Sequence, residues 1–463
     1  MFSISSATRP TALMLVAVSC CTGCVHYKPE PLEPLAVARI LREASLADVA
    51  PDFQSRGQPT PDLAAGIGPD EAGLVALVLN PALKARRLER GIAAGQLVTA
   101  GLYPNPTLDN RSLLFSQKPV GRRSVEANFA IEVLRWQEQY ANIQTKEANL
   151  RAVEYDILND EWKTASDARA AWWNVVGAQQ RLRLNQEQLD LSSRLLGFAK
   201  ARIRHGAGTA LDANLAELQD LRLRLDRQKL DSDADTAART LRQTIGLPFD
   251  ADVKMRIPEK PLTPVAPTWK VEDLLASLPT SAPMKAFEWR YKLSEGELRA
   301  AIAKQYPSLR IGPGGTFDFD GNIWSSLLGT VVSADLPLIN RNQGEIKEKF
   351  AARSAAYAEY RAQLQRLQAS VAEAAAQVER IGQRVAFQEK ELTPKGQESI
   401  QLTEKTYKAG DVAGSDLLIA RSLFIDTEKS HLDLLIEYRQ AMENLEAVLG
   451  RRLEDVPTHE SKQ

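Results

Sequence analysis

Apolar and polar side chains alternate with a period of two over residues 124–133. Every second residue from Val125 to Val133 is apolar, and the positions between them are mostly polar. Since successive side chains of a strand point to opposite faces, this pattern predicts a strand at about 124–135 with one apolar face. The less regular run at 107–116 is expected to be its hairpin partner.

A different period follows this hairpin. No proline occurs between Val120 and Leu247, so very long helices are possible, and we predict one over 138–203 and a return helix over 211–245. Apolar residues of the longer helix recur every seven positions in two seams on opposite sides. The seams are Val175, Leu182, Leu189 and Leu196, and Gly177, Leu184, Leu191 and Phe198. Such a helix needs a neighbour on each flank and should supercoil to the left.

The whole plan occurs twice along the chain. Tyr103-Pro104 recurs as Tyr306-Pro307, and Gly206 has its counterpart in Gly410. Each half therefore reads as helix, strand, strand, long helix and return helix, with Pro394 expected to kink the second long helix. The predicted division is a signal peptide at 1–23, a lipidated tether at 24–70, a first repeat at 71–250, a Pro-rich linker at 251–270, a second repeat at 271–450 with strands at 308–319 and 323–337, and a C-terminal tail at 451–463.

All three cysteines lie within the first 24 residues. The body of the chain therefore has no disulfide framework, thiolate nucleophile or cysteine metal site. A basic start, a short apolar stretch and small residues before a cysteine resemble a bacterial lipoprotein signal. We assign the lipid to Cys24, with Cys20 as the competing site and an uncleaved signal as the other alternative.

Charge and motifs exclude several function classes. The formal net charge is −1, from 58 basic and 59 acidic residues, and does not mark the chain for nucleic acid. We find no phosphate loop, nucleophile elbow or metal motif, so we expect neither an enzyme nor a resident cofactor or metal. No later apolar run approaches the ~20 residues of a membrane-spanning helix. If the chain spans a membrane, it must do so with closed strands.

Both element types call for an oligomer. Two lone hairpins leave open sheet edges, which must pair with strands of other chains in lipid. Helices with two apolar flanks likewise need neighbours beyond their own chain.

In this order of elements the chain resembles the TolC-type outer-membrane efflux proteins from about Ala72 to Gly450. The sequence from Asn340 to Gly344 is most similar to that of the subgroup that serves heavy-metal and other resistance-nodulation pumps. The segments that carry the resemblance are Asn80-Pro81, Tyr103-Pro104, Tyr306-Pro307, Leu336-Pro337-Leu338 to Gly344, Tyr407-Lys408-Ala409-Gly410, Leu417-Leu418 and Ala420.

The resemblance implies a mainly α fold with a small β part. Three identical chains would each give four strands to one twelve-stranded barrel in the outer membrane, and the coiled-coil helices would form a periplasmic tunnel. The tips of the two helical hairpins would meet a periplasmic adaptor protein, and an inner-membrane pump would supply the energy. The chain itself would be a passive, lipid-anchored exit duct.

The resemblance and the strand pattern assign candidate sites. Asp212 and Asp416 begin the two return helices, where an Asp is either a helix cap or part of an aperture ring. Ile419 stands where relatives often carry an acid, so an apolar constriction is also open. The tip residues expected to contact the adaptor are His205, Gly206, Gly208, Gly410 and Asp411. The residues expected to face the barrel lumen are Glu126, Asn128, Glu132, Arg310, Thr316 and Asp318.

Two other functions remain open at this point. A duct for a type I protein secretion system would have nearly the same sequence features. A periplasmic structural coiled-coil lipoprotein would explain the heptads but not the alternating hairpins or the duplication.

Overall fold

The computed structural model describes residues 25–55, 63, 66–115, 122–133, 135–206, 209–256, 269–320, 323–409 and 411–455. The chain forms two units, residues 1–43 and 44–463. In the first unit the described residues contain one exposed helix, α1 (Pro34–Glu43).

The second unit contains the duplicated plan. After α2 (Val49–Ser55), the first repeat comprises α3 (Pro69–Leu79), α4 (Pro81–Gly101), β1 (Thr107–Phe115), β2 (Arg122–Val133), α5 (Trp136–Arg204) and α6 (Ala210–Ile245). The second comprises α7 (Val271–Ser277), α8 (Ala282–Ala303), β3 (Ser308–Asp320), β4 (Ile323–Asp335), α9 (Gln343–Phe387), α10 (Thr393–Ala409) and α11 (Gly414–Leu449). The predicted fold class, mainly helical with a small β part, is confirmed.

The segment expected to be an extended tether is partly folded. Leu46–Asp48 form a 3₁₀ turn that leads into α2. Val49 and Phe53 are buried in the main hydrophobic core. Two apolar side chains thus fix this stretch to the helices, a role that its Pro- and Gly-rich composition concealed.

The break between α3 and α4 follows from Asn80 and Pro81. The Asn80 side chain accepts a hydrogen bond from the Leu83 N–H at 3.0 Å, which caps α4. Pro81 occupies the first helical position, where its missing N–H has no partner to lose. The Asn80 amide also donates to the Thr244 carbonyl at the end of α6, at 2.9 Å. One residue thus ends a helix, starts another and ties both to the far end of the repeat.

The four strands form one antiparallel sheet in the order β1-β2-β3-β4. The central pair, β2 with β3, joins the two repeats. In the described part of the chain, β1 and β4 each pair on one side only. The sheet of a single chain therefore has two open edges.

The main core lies where the long helices meet the short ones. Trp172 of α5 is fully buried, and its indole N–H donates to the Ile67 carbonyl at 2.7 Å. Ile67 in turn bridges to the segment after α6 through backbone hydrogen bonds with Lys254 and Arg256. The segments that flank the first repeat are thus hydrogen-bonded to each other and to Trp172.

Helices α5 and α11 run antiparallel and join the two helical hairpins. Asn174 and Gln440 are hydrogen-bonded at 2.5 Å, Arg181 and Asp433 at 2.7 Å, and Gln188 and Asp426 at 2.6 Å. These pairs lie along the two helices at nearly constant register. We call this line of contacts the α5–α11 seam.

The second long helix departs from α geometry next to Pro394. Gln388–Leu392 form a π-helical segment between α9 and α10. Proline at 394 has no N–H for the carbonyl four residues earlier, so a local departure is expected there. The counterpart in the first repeat, Asp190, lies inside the uninterrupted α5. The predicted difference between the repeats is therefore present, as a widened turn.

Candidate channel surfaces

One face of the sheet is polar. Glu126 stands opposite Thr316 in the β2–β3 register, Glu132 opposite Arg310, and Ser124 opposite Asp318. Asn128, two positions from Glu126, points to the same face. The register thus places on one surface all of the residues expected in the lumen.

Sequence reasoning missed two members of this polar face. Asp109 of β1 stands directly opposite Asn128. Asp335 of β4 accepts a hydrogen bond from the Ser308 hydroxyl at 3.0 Å. The irregular pattern of residues 107–116 hid the first, and only the pairing of β3 with β4 reveals the second.

The opposite face is apolar, and no other described element covers it. Three rows cross the strands: Val133 beside Leu309, Ile131 beside Ile311, and Leu108 beside Phe129. In β4, Val332 extends the second row, since it also stands opposite Ile311. All seven of these side chains are more than 40% exposed in the single chain. An exposed apolar surface of this kind marks a site of contact with another protein or with a membrane.

The first hairpin tip follows α5. His205 ends the helix, with its N–H bonded to the Ala201 carbonyl at 3.2 Å, and its side chain is exposed. Gly206 takes a φ of 72°, a backbone conformation that favours glycine. Gly208 lies outside the described residues. Asp212 falls in the first turn of α6, and its side chain is likewise outside the description.

The second tip lies between α10 and α11. Gly410 is outside the described residues, and Asp411 is exposed with its N–H bonded to the Thr406 carbonyl at 3.0 Å. The Asp416 carboxylate accepts a hydrogen bond from the Ala413 N–H at 3.1 Å. This is a capping contact at the start of α11. Because the side chain is exposed, its charge is also available at the surface of the tip.

An apolar cavity of about 400 Å³ separates the two tips. Ile419 of α11 lines it opposite Leu195 and Phe198 of α5 and Leu215 of α6. Ile419 remains 57% exposed. The structure thus brings this residue beside the first hairpin.

Helix α6 has one covered and one uncovered flank. Leu223 is buried against α5, and the neighbouring buried Asn185 donates its amide to the Leu223 carbonyl at 3.4 Å. On the other flank Leu211, Leu218 and Leu225, which recur every seven positions, are 65%, 46% and 66% exposed. None of the described helices of the chain therefore covers the second flank.

A buried ionic cluster fixes α5 to α11 near the core. Arg169 is 4% exposed, and its guanidinium binds Glu443 at 2.5 Å and Glu446 at 3.2 Å. Burial raises the pKa of both carboxyl groups, and Arg169 partly offsets this rise. Sequence reasoning missed the cluster because its partners lie in different repeats.

Two kinds of feature are absent from the described residues. None of the helices there is long and apolar enough to cross a membrane. No three His, Cys, Asp or Glu side chains in those ranges gather in a way that could hold a metal ion.

Comparison with known proteins adds a family match. Residues 75–247 and 276–451 each match the model described as outer membrane efflux protein. The two matched segments correspond to the two repeats. No curated protein matches the chain.

Several solved structures share the fold. A crystal structure of CusC, described for conformational changes in folding and transmembrane channel formation, has a TM-score of 0.68 at 16% identity and covers 83% of this chain and 93% of its own. The outer-membrane channel OprN has a TM-score of 0.68 at 16% identity, covering 94% and 100%. The open-state MtrE outer membrane channel of Neisseria gonorrhoeae has a TM-score of 0.66 at 16% identity, also covering 94% and 100%.

Proposed function

Because the chain belongs to the outer membrane efflux protein family, we propose that it is the outer-membrane exit duct of a tripartite efflux pump. It conducts passively what an inner-membrane pump expels through a periplasmic adaptor protein. The chain supplies the path and no chemical step of its own.

The observation that carries this proposal is the two-faced sheet with two open edges. The apolar rows around Ile131, Ile311 and Val332 suit contact with acyl chains, and the Glu132–Arg310 face suits a water-filled lumen. An open edge in lipid leaves backbone groups without partners, which costs several kcal/mol for each group. Strands β1 and β4 must therefore pair with copies of each other in neighbouring chains.

The uncovered flank of α6 supports the same assembly. The exposed seam at Leu211, Leu218 and Leu225 needs a helix from another chain. Three copies with four strands each give twelve strands, an even number within the range of membrane barrels. The helices below the sheet then close into a tunnel in the periplasm.

The remaining roles follow from this assembly. The tips around His205, Gly206 and Asp411 are the surfaces that meet the adaptor, and Asp416 and Ile419 border the aperture. A lipid on Cys24 anchors the N-terminus in the same membrane. A soluble coiled-coil lipoprotein would have no use for the uncovered sheet face.

Two lysine substitutions on β3 test the proposal. Ile311→Lys puts a charge on the apolar face, where the cost of a lysine reaches about 2–4 kcal/mol at the midplane and falls towards the interfaces. We expect this variant to lose heat-sensitive trimers from the outer-membrane fraction. The matched control, Thr316→Lys, lies five residues away on the polar face and should assemble while making the channel less cation-selective in planar bilayers.

Equal assembly of the two variants would contradict the assignment of the sheet faces. Recovery of the unmodified protein as a soluble periplasmic monomer would overturn the duct itself.

A further inference from the structure

The loop that joins β4 to α9, residues 336–342, exposes an unusual set of side chains. Ile339 is 94% exposed, and Leu338 and Leu336 are 72% and 60% exposed. Surface loops normally carry polar residues, and adjacent exposed apolar side chains mark a contact site. We call Leu336, Leu338 and Ile339 the apolar tip of this loop.

Hydrogen bonds fix the loop behind its apolar tip. The Asn342 N–H donates to the Asn340 side-chain oxygen at 3.0 Å, and the Arg341 N–H donates to the Gln343 side-chain oxygen at 2.7 Å. Asn342 has a φ of 60° and donates its amide to the Ala301 carbonyl of α8 at 2.9 Å. The loop is therefore held in one shape and attached to a neighbouring helix. Its apolar tip does not need to be ordered when it binds a surface.

The loop lies at the end of the sheet where the strands give way to helices. Ser308, the first residue of β3, pairs with Asp335, the last of β4. Tyr103, Trp136 and Tyr306 adjoin the strands at this same end, and all three are exposed. Tyrosine and tryptophan favour the boundary between acyl chains and water. These residues thus mark the level at which the apolar face of the sheet ends.

A cation follows the apolar tip. Arg341 is exposed and forms no ion pair with any residue in the described ranges. Leu338 and Ile339 can reach the acyl chains of a leaflet while Arg341 stays at the level of the phosphates above them. This arrangement of apolar and cationic side chains matches the layers of a phospholipid leaflet.

We propose that the 336–342 loop is a membrane-contact element of the duct. Leu338 and Ile339 enter the phospholipid leaflet that faces the helices, and Arg341 binds lipid phosphates at its surface. This inference rests on the proposed function, since it needs the sheet to span the membrane. Three such loops in a trimer fix the depth of the sheet in the bilayer and couple it to α9.

Site-specific labelling tests this contact in the full chain. The body of the chain has no cysteine, so Ile339→Cys provides a single position for an environment-sensitive fluorophore. The parent chain gives the background from the N-terminal cysteines. Trimers are reconstituted in phosphatidylethanolamine–phosphatidylglycerol vesicles, with and without nitroxide-labelled acyl chains as quenchers.

Two further labels separate the possible outcomes. Val332→Cys reports on the apolar sheet face, and Leu402→Cys is an exposed site on α10 that should not meet lipid. We expect blue-shifted emission at 339 with a fractional loss to the quenching lipid close to that at 332, and no loss at 402.

Quenching at 332 but not at 339 would overturn the loop proposal alone. In that outcome a bifunctional reagent that joins 339 to a second subunit would show that a neighbouring copy covers the tip. Absence of quenching at both positions would overturn the membrane-spanning sheet and, with it, the loop proposal. A second variant, Arg341→Glu, should make binding of the loop less favourable in anionic vesicles and reduce the quenching at 339.

Discussion

Gly177 of α5 lies directly against Ile436 of α11, so closely that a Cβ added to the glycine would overlap the isoleucine Cδ1. Both residues are buried on the α5–α11 seam. The absence of a Cβ at this position thus lets the Ile436 side chain pack against the α5 backbone, and an alanine would force that side chain to shift. We expect Gly177→Ala to destabilise the folded chain by about 1–3 kcal/mol, the usual range for an overpacked core.

Thermal unfolding of the purified protein measures this effect, and α5 offers a matched control. Gly197 lies in the same helix, but a Cβ built there would meet nothing within 4 Å. Since alanine is the better helix former, Gly197→Ala should leave stability unchanged or raise it by up to about 1 kcal/mol. Similar losses in both variants would show that the effect does not come from the contact with Ile436.

Arg169→Met should be far more harmful than loss of an exposed arginine. It removes the guanidinium that binds both Glu443 and Glu446 directly, and breaking such a cluster costs about 3–5 kcal/mol. The folded-state pKa of both acids already lies above the ordinary value of 4.5, because burial disfavours the charged form. The folded state therefore holds these protons more tightly than the unfolded state, and stability falls as pH rises through the raised pKa.

The defect of Arg169→Met should accordingly be larger at pH 8 than at pH 5, because a lower pH favours the protonated acids. Thermal melting at the two pH values measures the difference. Adding Glu443→Gln and Glu446→Gln to the variant should abolish most of this pH dependence. If the defect is the same at both pH values, the two carboxyl groups are not the cause.

The sequence predicted what depends on local periodicity. The alternation around Phe129 and Ile131 was sufficient to assign the two faces of β2, whereas only the structure shows that the flank of α6 with Leu211, Leu218 and Leu225 is the exposed one. The duplication supplied the rest of the fold, because each half could be interpreted with the help of the other. Barrel closure remains a prediction, since it depends on chains beyond this one.

Contacts between distant residues were beyond sequence reasoning. Arg169 and Glu443 lie in different repeats, and neither belongs to a recognisable motif. Pro394 indicated a departure from α geometry, but only the structure shows that the widened turn precedes it at Gln388–Leu392. The contact of Val49 and Phe53 with the core was similarly hidden in a segment of tether-like composition.

Asp416 can be tested as a helix cap and as an aperture residue with two substitutions. Asp416→Asn keeps an oxygen for the Ala413 N–H but removes the charge, whereas Asp416→Ala removes both. We expect both variants to reduce the cation selectivity of the trimer in planar bilayers. Only the alanine variant should also lose stability, by about 1 kcal/mol, as is typical for a lost cap. Wild-type conductance and selectivity in the asparagine variant would leave Asp416 with a capping role alone.

Opening of the duct should require the second hairpin to move along the α5–α11 seam. The buried Gln188 binds Asp426 across the seam at 2.6 Å, and Gln388 of the π-helical segment donates to the Thr427 carbonyl at 3.1 Å. The nearby Ser192 hydroxyl is buried without a hydrogen-bond partner among the described residues. Polar side chains that include an unpaired hydroxyl stabilise a helix contact less than apolar side chains do. We therefore expect the two hairpins to move relative to each other at this level of the seam.

A short thiol cross-linker in Gln188→Cys/Asp426→Cys should therefore lower the open conductance, and reduction of a cleavable linker should restore it. The matched control joins α5 to α6 within the first hairpin, at Ser193→Cys/Asp220→Cys, whose native side chains lie 3.2 Å apart. That link spans two helices of the same rigid hairpin and should leave conductance unchanged. Unaltered conductance in the first pair, with cross-linking verified on a gel, would show that the two hairpins open as one body.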